Sequence, residues 1–93
     1  MTVTVAGIEF DHVVYDRAVD VLYLQVGLPP RAAADFDASR EGHYVRYDED
    51  GALMGMTIVN ARRILEREGK IVITLPDGKQ LETSDVGDVL AAA

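Results

Sequence analysis

The sequence predicts an α+β fold of about five to seven short antiparallel strands, arranged as hairpins or a meander, with one or two short helices toward the C-terminus. Three observations support this prediction. Apolar and polar residues alternate over most of the first two thirds of the chain, which is typical of half-buried strands. Turns rich in Gly and Asp separate these runs. The hydrophobic period becomes helical only after Asn60.

The chain length sets the scale of the domain. Ninety-three residues, of which 48% are hydrophobic, are enough for one small core, so a single domain over residues 1–93 is expected. Residues 70–92 are expected to form a C-terminal hairpin plus a short helix. The candidate strand runs are 3–5, 8–10, 12–15, 21–26, 32–37, 43–47, 53–59, 71–75 and 80–83.

The run 21–26 is the clearest strand, and both of its faces are apolar. Leu22 and Leu24 lie on one face, whereas Val21 and Tyr23 lie on the other. A sheet with two apolar faces is expected to be covered on both sides. Because the predicted helices are too short to cover a whole face, we expect a homodimer that completes the core.

The helical pattern has a start and a stop signal. Asn60 is a favourable N-cap and Gly69 a natural stop, so a helix is predicted over 61–68. Ser84 predicts the start of a second short helix. Gly55, in the middle of a strand run, predicts a bulge or a close backbone approach.

The composition excludes several classes of function. Nine Lys and Arg against sixteen Asp and Glu give a formal net charge of −7. That balance disfavours nucleic acids and anionic membranes, and it favours a basic protein partner. The absence of cysteine excludes disulfides, thiolate catalysis and Cys-type zinc sites. A small Cys-free chain without an apolar run near ~20 residues is expected in the cytoplasm.

Two groups of carboxylates are candidates for a site. Asp16 and Asp20 flank a turn and could form a catalytic pair or a metal site, but capping of the turn is the more common role. The acidic run 48–50 precedes Gly51 and resembles part of a calcium loop. That loop requires a Glu at its twelfth position, where this chain has Val59, so a hairpin turn is expected instead.

The two imidazoles, His12 and His43, have no neighbours in the sequence that suggest catalysis or zinc binding. Glycine-rich phosphate loops are absent from the sequence as well. No catalytic residue, metal site or cofactor is therefore expected. The remaining enzymatic alternative is a hydrolase that uses an Asp pair with one His.

Arg62, Arg63 and Arg67 form, with Lys70, the one basic cluster of the sequence. Two of these arginines lie in the predicted first helical turn, where cations are unfavourable. One interpretation is solvated arginines that pair with acidic neighbours. The other is contact with an acidic partner surface, including this protein's own acidic face in a dimer.

Three ordered segments resemble the bacterial family known as domain of unknown function 2283. They are Tyr15-Asp16-x3-Asp20-Val21-Leu22-Tyr23-Leu24, Tyr47-Asp48-Glu49-Asp50-Gly51 and Gly55-Met56-x-Ile58-x-Asn60-Ala61. The resemblance covers about residues 14–61. The chain departs from the family pattern at Met54 and Met56, where branched aliphatics are more usual, and in a longer connection before Tyr44.

The resemblance implies a small strand-rich domain with no established activity and no catalytic residues to carry over. Relatives encoded beside small candidate toxins suggest a neutralising role. The leading hypothesis is therefore a non-catalytic, homodimeric interaction module that neutralises a basic toxin-like protein; the alternative is a protein that binds a small ligand or a divalent cation. The motif residues, expected to be structural, are Tyr15, Asp16, Asp20, Tyr23, Asp48, Asp50, Gly51, Gly55 and Asn60.

Overall fold

The computed structural model describes residues 2–5, 7–27, 35–83, 86–87 and 90. Within these residues the chain forms nine strands and one α-helix. In chain order they are β1 (Val3–Val5), β2 (Ile8–Phe10), β3 (His12–Asp16), β4 (Val21–Gln25), β5 (Asp35–Ala38), β6 (Tyr44–Tyr47), β7 (Leu53–Val59), α1 (Ala61–Glu68), β8 (Ile71–Thr74) and β9 (Gln80–Thr83).

A five-stranded antiparallel sheet with strand order β3-β4-β7-β6-β5 forms the centre of the fold. β1 and β2 form one separate two-stranded sheet, and β8 and β9 form another. The long pairing of β4 with β7 joins the β3–β4 hairpin to the β5–β6–β7 meander. The central sheet thus consists of two locally folded units held together by one non-local pairing.

The α+β class is confirmed, but two details of the prediction were wrong. Nine strands form instead of five to seven, because the N-terminal pair and the last hairpin build small sheets of their own. The helix is not C-terminal, since β8 and β9 follow it.

Two further predictions fall partly or largely on residues outside the described ranges. The predicted second helix lies mostly on residues 84–85, 88–89 and 91–93, and the first half of the predicted run 32–37 lies on residues 32–34. Within the described part, the Leu90 amide donates to the Val86 carbonyl at 3.1 Å, which is a helical spacing.

The hydrophobic core lies against one face of the central sheet, called here the inner face. β4 and β7 pair Leu22 with Ile58 and Leu24 with Met56, and all four side chains are fully buried. Side chains from α1 and from the two small sheets complete this cluster; they include Ala61, Val5, Phe10, Ile71, Ile73 and Leu81.

The helix stop and the hairpin turn form at the Gly and Asp residues that predict them in the sequence. Gly69 ends α1 with a positive φ of 76°, and its amide donates to the Leu65 carbonyl at 2.8 Å. Oδ1 of Asp48 accepts the amides of Asp50 and Ala52, each at 2.9 Å, at the turn between β6 and β7. The predicted helix stop and hairpin turn are confirmed.

No helix in the described ranges combines the length and the hydrophobicity that crossing a membrane would require.

Candidate functional site

The face of the central sheet opposite the core, called here the outer face, carries several exposed aliphatic and aromatic side chains. None of the ten residues in its two central rows is acidic, although the chain has sixteen Asp and Glu. Its exposed fractions include 44% for Val14, 39% for Tyr23, 54% for Tyr44 and 67% for Phe36. Each row crosses the sheet in the strand order β3-β4-β7-β6-β5. One row consists of Val14, Tyr23, Thr57, Tyr44 and Ala38, and the other consists of His12, Gln25, Gly55, Arg46 and Phe36.

Gly55 gives Arg46 its place on the outer face. A Cβ atom at Gly55 would lie 2.5 Å from Nη2 and 2.8 Å from Nε of Arg46. Nη2 donates to the Leu24 carbonyl at 3.3 Å, whereas Nε is buried without a hydrogen-bond partner in the described part of the chain. The β6–β7 register also shifts between Arg46 and Tyr47. The register shift and the close approach of the guanidinium together account for this mid-strand glycine.

The β5 edge of the central sheet is capped by two aspartates. The Phe36 amide donates to Oδ1 of Asp35, and the Ala38 amide donates to Oδ1 of Asp37, both at 2.9 Å. Amides bound in this way are not free to pair with an added strand, and the carboxylates make the edge acidic. Association through this edge is therefore disfavoured, and the outer face is the more suitable surface.

Asp20 joins the β3–β4 turn to the start of α1. Its Oδ1 accepts the Arg62 amide at 2.8 Å, and its Oδ2 accepts the Arg63 amide at 3.1 Å. The Tyr15 hydroxyl donates to Oδ1 at 2.7 Å, and the Asp20 carbonyl accepts the Ala61 amide at 3.2 Å. The carboxylate thus caps a helix that begins 41 residues later in the sequence.

These hydrogen bonds shift the pKa values of Asp20 and Tyr15, the two ionisable groups where the β3–β4 turn meets α1. Burial by itself would raise the pKa of the Asp20 carboxyl, but the donated bonds from the Arg62 amide, the Tyr15 hydroxyl and the Arg63 amide hold that pKa below its ordinary value. Burial raises the pKa of the Tyr15 phenol, and the bond to the Asp20 carboxylate raises it further. The junction therefore favours an ionised Asp20 and a neutral Tyr15.

The predicted side-chain cap at Asn60 was wrong. Asn60 precedes the helix, but it adopts a left-handed conformation with φ of 58° and makes no side-chain capping bond. Asp20, which is also left-handed with φ of 55°, supplies the cap from another part of the chain. Asp16 takes the local role expected of a turn aspartate, accepting the Ala18 amide at 3.1 Å.

The three arginines of the basic cluster lie on α1, which packs on the side of the core, and Lys70 follows the helix. Nε of Arg62 pairs with Glu66 at 3.1 Å, and Nη2 of Arg67 pairs with Glu68 at 3.1 Å. The Asp20 carboxylate at the helix N-terminus offsets the unfavourable position of Arg62 and Arg63 near the helix dipole.

An open cleft of about 540 Å³ lies where β5 and two hairpin turns meet. Among the described residues, its lining carries five carboxylates and no basic side chain, so the cleft is strongly acidic. Burial and the charges of Asp37, Asp77 and Asp35 raise the pKa of Tyr47 in its wall. The carboxylates belong to Asp35, Asp37, Asp48, Glu49 and Asp77.

Glu41 and His43, which lie outside the sites predicted from the sequence, each make long-range polar contacts. The Glu41 carboxylate accepts the amide of Thr74 at 2.7 Å and also its hydroxyl, which ties the β5–β6 connection to β8. His43 is 1% exposed, and its Nδ1 accepts the Val59 amide at 3.0 Å. Nothing in the local pattern identifies these residues, because their partners are 16 to 33 positions away.

The tautomer of His43 follows from this geometry. An Nδ1 that accepts a hydrogen bond carries no proton, so the neutral ring carries its proton on Nε2. That Nε2 atom is buried without an acceptor in the described part of the chain. Burial lowers the pKa of His43, while the charge of Glu41 opposes this effect in part. A protonated Nε2 neither ligates a metal nor accepts a proton, which argues against the histidine-assisted hydrolase for this residue.

No group of three or more His, Asp or Glu side chains is arranged to hold a metal ion among the residues with described positions. Asp16 and Asp20 take the capping role that is the more common one for such residues, since each carboxylate accepts backbone amides.

Taken together, the described residues define a small α+β protein with exposed apolar side chains on one sheet face, an acidic cleft and a tyrosine–aspartate cap on its helix. The family model described as protein of unknown function (DUF2283) matches residues 12–62. The chain therefore belongs to this family, and the matched segment agrees with the resemblance over residues 14–61. The comparisons with curated proteins and with solved structures found no significant match.

Proposed function

We propose that this protein is a non-catalytic interaction module that dimerises through the outer face of its central sheet. The observation that supports the proposal is the exposed apolar face without a single carboxylate in its central rows. Large exposed apolar patches are typical of interaction sites. In a chain with a net charge of −7, this is where two copies can meet without opposing carboxylates.

The size of the face suits a second copy. Five strands about 4.8 Å apart and about five residues long, at roughly 3.3 Å per residue, span about 24 by 16 Å. This flat area of about 380 Å², increased by the relief of the side chains, corresponds to the small end of the range of specific interfaces. Two such faces packed against each other would complete the second apolar layer that the run 21–26 predicts.

A glutamate at the centre of the face is expected to separate the copies. Tyr44→Glu places one carboxylate on each side of the interface, and burying an unpaired charge is costly. We expect the dissociation constant of the dimer to rise by about 100-fold or more. Sedimentation equilibrium at micromolar concentration would show a change from twice 10.1 kDa to 10.1 kDa.

Val19→Glu is the matched control, because Val19 is 58% exposed but lies in the β3–β4 turn and not on the face. It should leave the dimer intact. A wild-type protein that is monomeric at this concentration, or a Val19→Glu variant that dissociates as fully as Tyr44→Glu, would contradict the proposal.

The acidic cleft favours a second role, the binding of a basic toxin-like protein by the same module. Five carboxylates around one opening attract a cationic partner and increase its rate of association. Four of these carboxylates, on Asp35, Asp37, Asp48 and Asp77, also accept backbone amides, so they are held in place before a partner arrives. A divalent cation is the alternative ligand for this cleft.

Purification of the tagged protein from its native host, followed by native mass spectrometry, tests this role. We expect a basic protein in fixed stoichiometry with the wild type. The Asp35→Asn/Asp37→Asn/Asp77→Asn variant should lose this basic protein, while the Tyr44→Glu variant should still bind it. Equal recovery with the triple variant would contradict binding at the cleft. Thermal stabilisation of the isolated protein by calcium or magnesium would favour the cation alternative instead.

A further inference from the structure

A groove lies between α1 and the β5–β6 connection, away from the outer face and from the acidic cleft. It consists of two pockets of about 140 and 350 Å³. Both pockets are lined by Glu41, Ile64 and Arg67, so they adjoin. We call this concavity the helix groove.

A buried donor lies in the wall of the helix groove. His43 lines its smaller pocket and is 1% exposed. The bond from the Val59 amide to Nδ1 leaves the proton on Nε2, and this N–H has no acceptor in the described part of the chain. A buried donor without an acceptor is costly, so the position favours an occupant that supplies an acceptor.

Cations surround the same groove. Arg63 and Arg67 are one helical turn apart on α1 and line the larger pocket, while Lys70 follows the helix and lines the smaller one. Glu41 and Glu68 are the opposing carboxylates. Three cations against two carboxylates make the groove locally positive in a chain with a net charge of −7.

The two carboxylates of the helix groove do not prevent its cationic side chains from binding a ligand. Both oxygens of Glu41 are already engaged by Thr74. Glu68 pairs with Arg67, but both side chains are more than half exposed, with accessibilities of 54% and 66%, so this pair is weak. Lys70 pairs with Glu82 in a similarly exposed contact.

We propose that the helix groove binds a small molecule through an oxyanion group, a phosphate or a carboxylate, which accepts the Nε2–H of His43 and lies beside Arg63 and Arg67. Arginine and a neutral imidazole N–H are complementary donors for such a group. The exposed pairs with Glu66 and Glu68 do not explain why basic residues cluster on this helix, and the proposal assigns a role to two of them. It is independent of dimerisation, because it uses residues on the other side of the sheet.

Nitrogen and proton NMR of the His43 ring at pH 7.5 tests the proposal. Inorganic phosphate and, in a second titration, acetate are added at constant ionic strength against sodium chloride. Saturable shifts of the His43 signals are expected with one of them. Saturation by phosphate identifies a phosphate ligand, and saturation by acetate alone identifies a carboxylate ligand.

Variants assign the response to the groove. Arg63→Gln/Arg67→Gln should weaken the saturable response by at least about tenfold. Arg62→Gln is the matched control on the same helix; Arg62 lines a different pocket with Leu65 and Glu66, so the response should remain. His43→Asn keeps an acceptor for the Val59 amide but removes the Nε2 donor. It should abolish the saturable shifts of the Gly42 and Ile64 amide signals, which replace the missing ring signals as the readout for this variant.

Two results would overturn the proposal. One is the absence of a saturable response to either anion, which would mean that the groove holds only water. The other is an unchanged response in the Arg63→Gln/Arg67→Gln variant, whose fold is checked by circular dichroism. The double variant keeps the test valid if His43→Asn fails to fold.

Discussion

Asp20→Ala is expected to lower the free energy of unfolding by about 3 kcal/mol. Loss of a helix cap costs about 1 kcal/mol, and loss of a charged acceptor for the Tyr15 hydroxyl costs a similar amount or more. The left-handed backbone at this position, with φ of 55°, adds about 1 kcal/mol for a residue with a Cβ and no polar side chain. Urea denaturation followed by circular dichroism measures the change.

The matched control is Asp16→Ala in the same turn. Asp16 is exposed and accepts one local amide, so its replacement should cost less than about 1 kcal/mol. For Asp20→Asn, the loss in the free energy of unfolding should fall between those of Asp16→Ala and Asp20→Ala. The asparagine keeps an acceptor and tolerates the left-handed backbone, but it lacks the charge beside the helix N-terminus. Equal losses for Asp16→Ala and Asp20→Ala would show that the long-range cap contributes nothing beyond the turn.

Lowering the pH below about 6.5 is expected to destabilise the fold through His43. Burial lowers the pKa of this imidazole from its ordinary 6.5, so the unfolded chain binds a proton at a higher pH than the folded chain does. The stability that depends on the neutral ring is therefore fully present above pH 6.5. It is lost as the pH falls toward the folded-state pKa, by up to about 1.4 kcal/mol per pH unit.

The geometry explains why protonation is unfavourable. A doubly protonated ring has no lone pair for the Val59 amide, so that bond at the end of β7 must break. The charge of Glu41 favours the protonated ring in part, but both of its oxygens are engaged by Thr74. Arg67 and Lys70 in the adjoining pocket repel a second positive charge.

Urea denaturation at pH values between 5 and 8 measures this effect. His43→Asn should flatten the pH dependence in that range, because the amide oxygen accepts from Val59 without titrating there. A pH dependence that survives in His43→Asn would contradict the assignment. Asp20 and Glu41, whose pKa values are lowered in the fold, add a further loss at more acidic pH.

Much of the secondary structure could be predicted from the sequence because its signals are local. Alternation in the run 21–26 places Leu22 and Leu24 in the core, and Gly69 ends the helix where its position indicates. The same local patterns did not show how many sheets these strands form. Periodicity identifies the buried face of a strand but not its neighbouring strands, so the pairing of β4 with β7 and the two separate small sheets were not foreseen.

The candidate sites were less predictable than the elements. Asp20 was selected as a turn residue, yet its carboxylate caps a helix 42 and 43 positions away. The importance of Glu41 and His43 was missed altogether, because their partners Thr74 and Val59 are distant in the chain. Arg46 gave no signal either, since its position over Gly55 exists only once β6 and β7 pair.

By itself, the sequence determined the α+β class, the turns, the position of α1 and the family of this protein. These features depend on residues within a few positions of each other, where period, capping and turn preference act directly. The tertiary structure decided which face of the sheet packs on the core within the described residues, which carboxylate caps the helix and where the donors of the helix groove meet. Those features depend on contacts between distant segments, which form only when β4 and β7 pair and bring the two halves of the sheet together.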